Sequence, residues 1–519
     1  MPKEYQIKED DSPVLGIAKD TLDKQKQALI FLGTKKSAEK TAEDIAKALK
    51  TDKEECLSIA EDALEALSRP TKQCERLSFC LKRGIAFHHA GLSQKQKDLI
   101  EDNFKKGIIK IICCTPTLAY GVDTPAYRSI IKDTRRFTKH GMSFIPVLDY
   151  LQMAGRAGRP NYDSVGEAIL IASTESEKDD LIERYIRGEP EEIYSKLAVE
   201  PVLRTYVLTL IAANFTTTKK QLLEFFSRTF YAHQFQDLAK IENIIEKMLY
   251  QLEEWEFIMQ SEKKEDFVSA SDVHGQKIKA TLLGKRVAEL YLDPLTAHFF
   301  ITCLREASDR KLHAFSLLQM ISHTQEMRPL LKVKMKEYDS IQQDFLAFHA
   351  TVLEKEPSLY DPDYEDYLSS IKTSLMFLDW AEEKSEEHLL EKYDARPGEL
   401  ASKLSTADWL LYANEEISKI LSFHPLLKEI SKTRFRLRYG AKEELLPLLR
   451  FEGIGRVRAR ILFSNRIRDV ADVKSANLAT LKHLLGEKVA LSLKHQVGED
   501  VEQVSERKRK GQVSLRKFE

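Results

Sequence analysis

Two arginines three residues apart, in Gln152-Met-Ala-Gly-Arg156-Ala-Gly-Arg159-Pro, carry the clearest chemistry in this chain. On a helix they point the same way, and the small residues between them let a triphosphate or a neighbouring domain come close. Guanidinium groups suit that work because charge develops on phosphoryl oxygens during transfer. Upstream, Cys113-Cys-Thr115-Pro-Thr117-Leu-Ala-Tyr-Gly121-Val-Asp123 runs from an apolar strand into a Thr/Gly loop. Hydroxyls and unpaired N–H groups at a strand end suit phosphate contact. Phe87-His-His-Ala-Gly91-Leu, also after a strand, is similar in kind.

Two further segments suit nucleic acid. Residues 130–145 hold two extended runs around Lys139-His-Gly141 and read as a hairpin bearing Phe137 and Phe144. Leu448-Leu-Arg-Phe-Glu-Gly453-Ile-Gly455-Arg456-Val-Arg458-Ala-Arg460 is a helix-hairpin-helix signature. Its glycines permit the tight turn, and N–H groups opening the next helix can hold a phosphate oxygen without sequence preference. The three arginines add charge; a purely structural helical hairpin is the alternative.

The elements that must position these residues change along the chain. Apolar runs at residues 27–32, 84–88, 108–114 and 166–172 alternate with helices at about 37–50 and 94–106, the pattern of a parallel α/β sheet. Residues 200–290 read as helices with a short β wing, a winged-helix arrangement. Its would-be reading helix carries Glu242, Glu246, Glu253 and Glu254, which phosphate repels, so the module reads as structural. Residues 291–435 read as helix throughout, with loops near 356–357, 361–362 and 396–398. The fold class is thus α/β plus all-α, and the polar, basic stretch 501–519 reads as disordered.

At 519 residues there is chain for roughly three or four domains. Apolar residues at 43% and charged residues at 31% fit a globular protein, and no run approaches a membrane span. Six cysteines without a CxxC pair point to a reducing, cytoplasmic setting. Cys74, Cys80, His88 and His89 are too irregularly spaced for a zinc site and read as packed residues. The net charge of −1 conceals a basic stretch at residues 432–468 and an acidic one at 382–391. The former is the footprint expected of phosphate binding.

The order of the three phosphate-type motifs resembles the second RecA-like domain of superfamily 2 helicases. More narrowly, the chain resembles the archaeal Hjm-type DNA helicases, relatives of the helicase portion of DNA polymerase theta. Leu29-Ile-Phe-Leu-Gly-Thr-Lys35-Lys-Ser resembles their motif IV, while Phe226-Ser-Arg-Thr-Phe-Tyr-Ala-His233 and Thr406-Ala-Asp-Trp409-Leu-Leu-Tyr412 look like their winged-helix and ratchet-helix sequences. The resemblance implies a second RecA-like domain (1–183), winged helix (184–290), helical ratchet domain (291–438), helix-hairpin-helix module (439–500) and tail (501–519). It implies ATP-dependent, 3′-to-5′ unwinding of forked or branched DNA, with Mg2+ as the companion of ATP. Gln152, Arg156 and Arg159 would face ATP, with Gly121 and Asp123 beside it. Lys35, Thr115 and Thr117 would meet the DNA backbone. The hairpin would split the duplex, with Phe137 or Phe144 stacking on the last base pair, unless its aromatics pack on the domain. Trp409 would touch a base of the tracking strand, or else belong to the core. The family's arginine two turns before it is Ser402 here, beside Lys403. Gln512, Leu515 and Phe518 resemble the peptide that docks on sliding clamps, with Glu519 where a second aromatic is usual; the alternative is a merely basic tail.

No Gly-x-x-x-x-Gly-Lys-Ser/Thr run and no Asp-Glu-x-His box occurs. The first RecA-like domain, which would bind most of the ATP and Mg2+, is therefore expected to be truncated away or separately encoded. Two other readings stay open: a DNA-binding fragment without turnover, and an RNA helicase of the exosome-associated kind.

Overall fold

Apolar runs too short to be helices, each followed by an amphipathic helix, are what a sheet covered on both faces requires. In the computed structural model the described residues are 10–498 apart from 11, 68, 121–123, 125, 139–140, 159–164, 198, 237 and 261–276. The chain opens with α1 (Pro13–Asp23), β1 (Ala28–Phe31), α2 (Lys35–Leu49), α3 (Leu57–Leu64), α4 (Lys72–Leu81), β2 (Ile85–His88), α5 (Gln94–Lys105) and β3 (Ile111–Cys114). There follow β4 (Arg128–Ile131), β5 (Arg135–Thr138), β6 (Gly141–Phe144), α6 (Val147–Ala154), β7 (Glu167–Leu170) and α7 (Glu175–Leu181).

Five strands form a parallel sheet in the order β2-β3-β1-β4-β7, in which Ala28 and Ile85 both lie level with Ile111. Every residue of β1 to β4 is buried. The four strands expected from the sequence are present, but β4 was not foreseen, because an arginine opens it. Arg128 is fully buried, and its charge is met by Asp20 and Glu167, each at 2.6 Å. Helix starts are set locally: Thr34 caps α2, and Ser93 with Gln96 forms a capping box on α5.

A second body comprises α8 (Glu200–Ala212), α9 (Lys219–Ser227), α10 (Phe230–Phe235), α11 (Leu238–Glu254), β8 (Ile258–Gln260), β9 (Ile278–Ala280), α12 (Leu282–Glu289) and α13 (Pro294–Ser308). It continues through α14 (Ala314–Ser322), α15 (Tyr338–Leu346), α16 (Tyr364–Ala381), α17 (Glu386–Tyr393), α18 (Pro397–Ile420) and α19 (His424–Tyr439). The short β element expected there is the antiparallel β8–β9 pair, and the acids of α11 are partly neutralised by Lys219 on Glu242 and Glu246. One apolar core runs from Leu203 to Leu437, so the boundary expected at 290 is no break in packing. Arg204 crosses it too, gripping Asp293 through two hydrogen bonds of 2.9 Å in a buried setting. The loop expected at 396–398 is instead the first turn of α18, with Pro397 at a position where its missing N–H costs nothing.

The third body has its own core, from Ala441 to Leu493, built around α20 (Arg456–Ser464), α21 (Val470–Ser475), α22 (Leu478–Leu485) and α23 (Glu487–Gln496). It joins the second at Gly440, which ends α19 at φ 61°. A Cβ there would overlap the Trp380 indole, whose N–H donates to the Leu437 carbonyl at 2.8 Å. Among the described residues no helix is long and apolar enough to cross a membrane.

Arg204→Ala should leave Asp293 charged and unpaired in a buried site. The expected loss is about 3–5 kcal/mol, read as a lowered midpoint of the helical body's unfolding in urea; a change below about 1 kcal/mol would show that the pair does not hold these segments together.

Candidate nucleic-acid interface

Parallel strands deliver their carboxyl ends to one edge, where ligands of open α/β sheets bind. A cleft of about 640 Å³ lies at that edge. Gly33–Lys36 enter it after β1, Ala90 after β2, residues 115–117 after β3, and Asp133, Arg135 and Arg136 after β4; Arg396 reaches it from the helical body. Lys35, Thr115 and Thr117 are thus brought together. Arg135 and Arg136 were missed, although adjacent arginines straight after an apolar strand were a visible signal.

Lys35 and Lys36 occupy the first turn of α2, where the helix dipole disfavours cations. Glu399 pairs with Lys35 and Asp394 with Lys36 at 3.3 Å. The Thr115 and Thr117 hydroxyls lie 2.9 Å apart. Arg136 pairs with Asp149 at 3.0 Å, and the Tyr120 hydroxyl donates to the same carboxylate at 2.6 Å. Burial and that carboxylate push the Tyr120 phenol up to about 12. The cleft therefore offers cations and hydroxyls whose carboxylate partners a phosphate could replace.

Behind the cleft is a buried ionic cluster. Glu39 of α2 is only 2% exposed and receives Arg396 Nε at 3.3 Å and an Arg76 guanidinium N–H at 2.6 Å. His89 Nδ1 accepts the Gly91 N–H at 3.1 Å, so its proton sits on Nε2 and is donated to Glu39, also at 3.1 Å. Burial lowers the His89 pKa and keeps the ring neutral. Burial opposes ionisation of Glu39 as well, but the His89 hydrogen bond and the Arg396 and Arg76 charges outweigh it, leaving about 2. His88 turns instead to Glu101 at 3.0 Å, and Cys74, Cys80, His88 and His89 form no group that could hold a metal ion.

Several expected site residues lie elsewhere or face inward. Gln152 is exposed at the end of α6, but Arg156 is buried and donates to the Ala119 carbonyl. Burial lowers its pKa, and it would have to release that carbonyl to reach a phosphate. Gly121, Asp123, Arg159, Gln512, Leu515 and Phe518 lie outside the described residues. Phe144 is not presented for stacking: it packs on the sheet domain with the Arg135 and Arg184 guanidiniums 4.4 and 4.3 Å from its ring centroid. Phe137 stands on β5 opposite Met142, and its side chain is outside the described set. Trp409 is half-buried against the helical core and donates its indole N–H to the Leu290 carbonyl at 3.0 Å, which favours the packing role. Lys403 gives its ammonium to the Pro329 carbonyl at 2.5 Å, so it is no cationic partner for a base there.

The basic stretch is also less open than its sequence implies. Arg456 lies 4.0 Å over the Trp380 ring, and Arg460 binds Glu383 and Glu444. Arg436 pairs with Glu382, and Arg434 with Asp408 and Glu415. The acidic run at 382–391 thus answers the basic one. Of the three hairpin arginines only Arg458 is exposed, beside Gly453 at φ 79° and Gly455 at the start of α20.

The chain matches the helicase conserved C-terminal domain over residues 60–161, a helix-turn-helix domain over 166–259 and the archaeal helicase domain 4 over 315–440. The ATP-dependent DNA helicase Hel308 of Pyrococcus horikoshii is 37% identical over 500 residues, covering 95% of this chain and 67% of that protein. Its counterpart in Pyrococcus abyssi is 36% identical with the same shares, and that of Methanocella arvoryzae 35% identical, covering 94% and 65%. The chain belongs to the Hel308 family of superfamily 2 DNA helicases. It spans about two thirds of the length of these Hel308 relatives. The domain 4 match includes α18, which bears Trp409 and begins beside the cleft.

Because folded Glu39 titrates near 2 rather than the ordinary 4.5, its contribution is complete above pH 4.5 and is lost as pH falls toward 2. Glu39→Gln should therefore cost on the order of 3 kcal/mol at pH 7, with the gap to wild type narrowing as pH falls from about 4.5 to about 2. A gap in melting temperature that stays constant with pH would refute the charged cluster. In the terminal module, Arg458→Ala should flatten the salt dependence of single-strand binding by about 0.7 in log–log slope, and Arg460→Ala should leave it unchanged. Equal slopes for the two variants would mean that the Glu383 pairing does not withhold Arg460.

Proposed function

We propose that this chain is the C-terminal part of an ATP-driven helicase that moves 3′ to 5′ and opens forked or branched DNA in replication-coupled repair and recombination. The cleft carries the reading: Lys35, Thr115 and Thr117 meet Arg135 and Arg136 at the ends of β1, β3 and β4, in a chain of Hel308 relationship. Phosphates of one strand would lie across the Thr115 and Thr117 hydroxyls and the first turn of α2, displacing Glu399 and Asp149 from their cations. Residues 1–183 then act as the second RecA-like domain, 184–290 as winged helix, 291–438 as ratchet domain and 439–500 as helix-hairpin-helix. Phe137, rather than Phe144, is the aromatic of the hairpin that would meet the last base pair.

ATP with Mg2+ supplies the free energy through phosphoryl transfer. Gln152, Arg156 and Arg159 would approach its phosphates, with Gly121 and Asp123 behind them. The loop that cradles those phosphates is not among the 519 residues, so turnover needs a first RecA-like domain provided by other residues. That same observation favours a second reading, a DNA-binding fragment without turnover. Gln512, Leu515 and Phe518 would dock on a sliding clamp, and the protein would work in the cytoplasm.

The chain alone should bind a 3′-tailed fork yet show no DNA-stimulated ATP hydrolysis; turnover by this polypeptide would overturn the account of the missing loop. Lys35→Ala with Arg136→Ala should flatten the salt slope of binding by about 1.4, and an unchanged slope would remove the cleft from the DNA path.

A further inference from the structure

The last helix of the helical body, α19, leaves one stripe of side chains partly open to solvent. Lys428, Lys432, Phe435 and Tyr439 recur at helical spacing and so share a face. The segment that leads into the terminal module runs opposite them, and a cavity of about 510 Å³ lies between the two. Leu446, Pro447 and the buried Leu449 supply its second wall, while the Phe435 ring on the first is 43% exposed. Cations dominate its lining. Lys432 is shared between Glu429 at 2.6 Å and Glu443 at 3.1 Å, but Lys428 and Arg450 have no ion-pair partner among the described residues. Glu443 is the one acid that lines the cavity. Unlike the cleft at the sheet edge, it has no serine or threonine in its described walls.

We propose that this cavity is a docking site for an acidic peptide of a partner protein, one that presents an aliphatic and an aromatic anchor. The volume is in the range that takes a few apolar side chains, about 300–1,000 Å³. The anchors would lie between Phe435 and the Leu446–Leu449 wall, the arrangement of a peptide laid into an apolar groove. Acids beside them would meet Lys428 and Arg450, and a third would replace Glu443 on Lys432. Glu443 is thus a resident competitor that an arriving carboxylate must displace. The chain's own segment 501–519 is a poor occupant, because Arg507-Lys-Arg-Lys510 and Arg516-Lys517 would face like charge. Nucleic acid could stack a base on Phe435, but walls of leucine and proline give phosphates no hydroxyl to lie on. Tyr439 and Leu446 also pack on the core of the terminal module, so a docked peptide touches both sides of Gly440. The proposal is independent of the DNA reading of the sheet-edge cleft.

The test is fluorescence anisotropy with a panel of labelled peptides in which leucine and phenylalanine stand three or four apart among aspartates. The full chain should bind members of the panel with a Kd of about 100 µM or better, and asparagine-for-aspartate versions at least about tenfold more weakly. Phe435→Ala, and separately Lys428→Glu with Arg450→Glu, should each weaken binding about tenfold or more, with circular dichroism confirming the fold. Glu443→Gln should tighten it by about threefold, since Lys432 then loses a competitor. Failure of every acidic peptide to bind, or binding indifferent to these substitutions, would overturn the proposal. So would displacement of the bound probe by a synthetic 501–519 peptide, which would make the occupant the chain's own tail. A dimer in sedimentation that the probe dissociates would assign the cavity to a second copy. Loss of oligonucleotide binding in the Lys428→Glu, Arg450→Glu variant, with probe binding intact, would assign it to nucleic acid.

Discussion

Strands buried on both faces and running parallel must all stop at the same edge, and this constraint organises the sheet body. It converts four loops, far apart in sequence, into the walls of one cleft. Residues 33–36, 90, 115–117 and 133–136 meet there because β1 to β4 have no other place to end. The helices add direction: α2 begins at that edge, capped by Thr34, so its first turn faces the same space as the threonine hydroxyls. A cleft lined by cations and hydroxyls is in this sense a by-product of burying apolar strands.

Much of this was legible beforehand. Fully apolar runs such as residues 111–114 and a helix beginning after a threonine are local patterns, and local patterns survive folding. What escaped were features made by long-range partners. Arg128 looks like the wrong residue to open a buried strand until Asp20 and Glu167, about a hundred residues back and forty ahead, meet its charge. The basic run at 432–468 looks like a phosphate-binding face until the acids at 382 and 383 are found against it. A sequence displays each charge run but not whether the two face water, nucleic acid or each other. Trp409 and Phe144 illustrate the same limit for aromatics, whose packing depends on the Leu290 carbonyl and on Arg184, elements remote in the chain.

The site divides in the same way. Thr115 and Thr117, read from a motif after one strand, and Lys35, implied by the family resemblance, are brought to one cleft. Arg396 could not be placed, because its role depends on a helix more than 350 residues from its partner Glu39 reaching back to the sheet. Arg156, foreseen from its motif, points in this conformation into the 115–119 turn, a detail of rotamer and burial that spacing does not encode.

The continuous core from Leu203 to Leu437 has a mechanical corollary. The segments on either side of residue 290 share one interior and must move as one piece, which leaves two seams for articulation. The first is stitched by Lys35–Glu399, Lys36–Asp394 and Lys72–Glu391, the second by Arg460–Glu383 and Lys442–Glu382. Apart from the buried contact of Arg396 with Glu39, these stitches are partly or wholly open to solvent, where ion pairs are weak and screened. Ionic pairs form the outer part of each seam, which salt screens, while the Gly398–Gly91 backbone hydrogen bond and the stacking of Arg456 on Trp380 lie outside that effect.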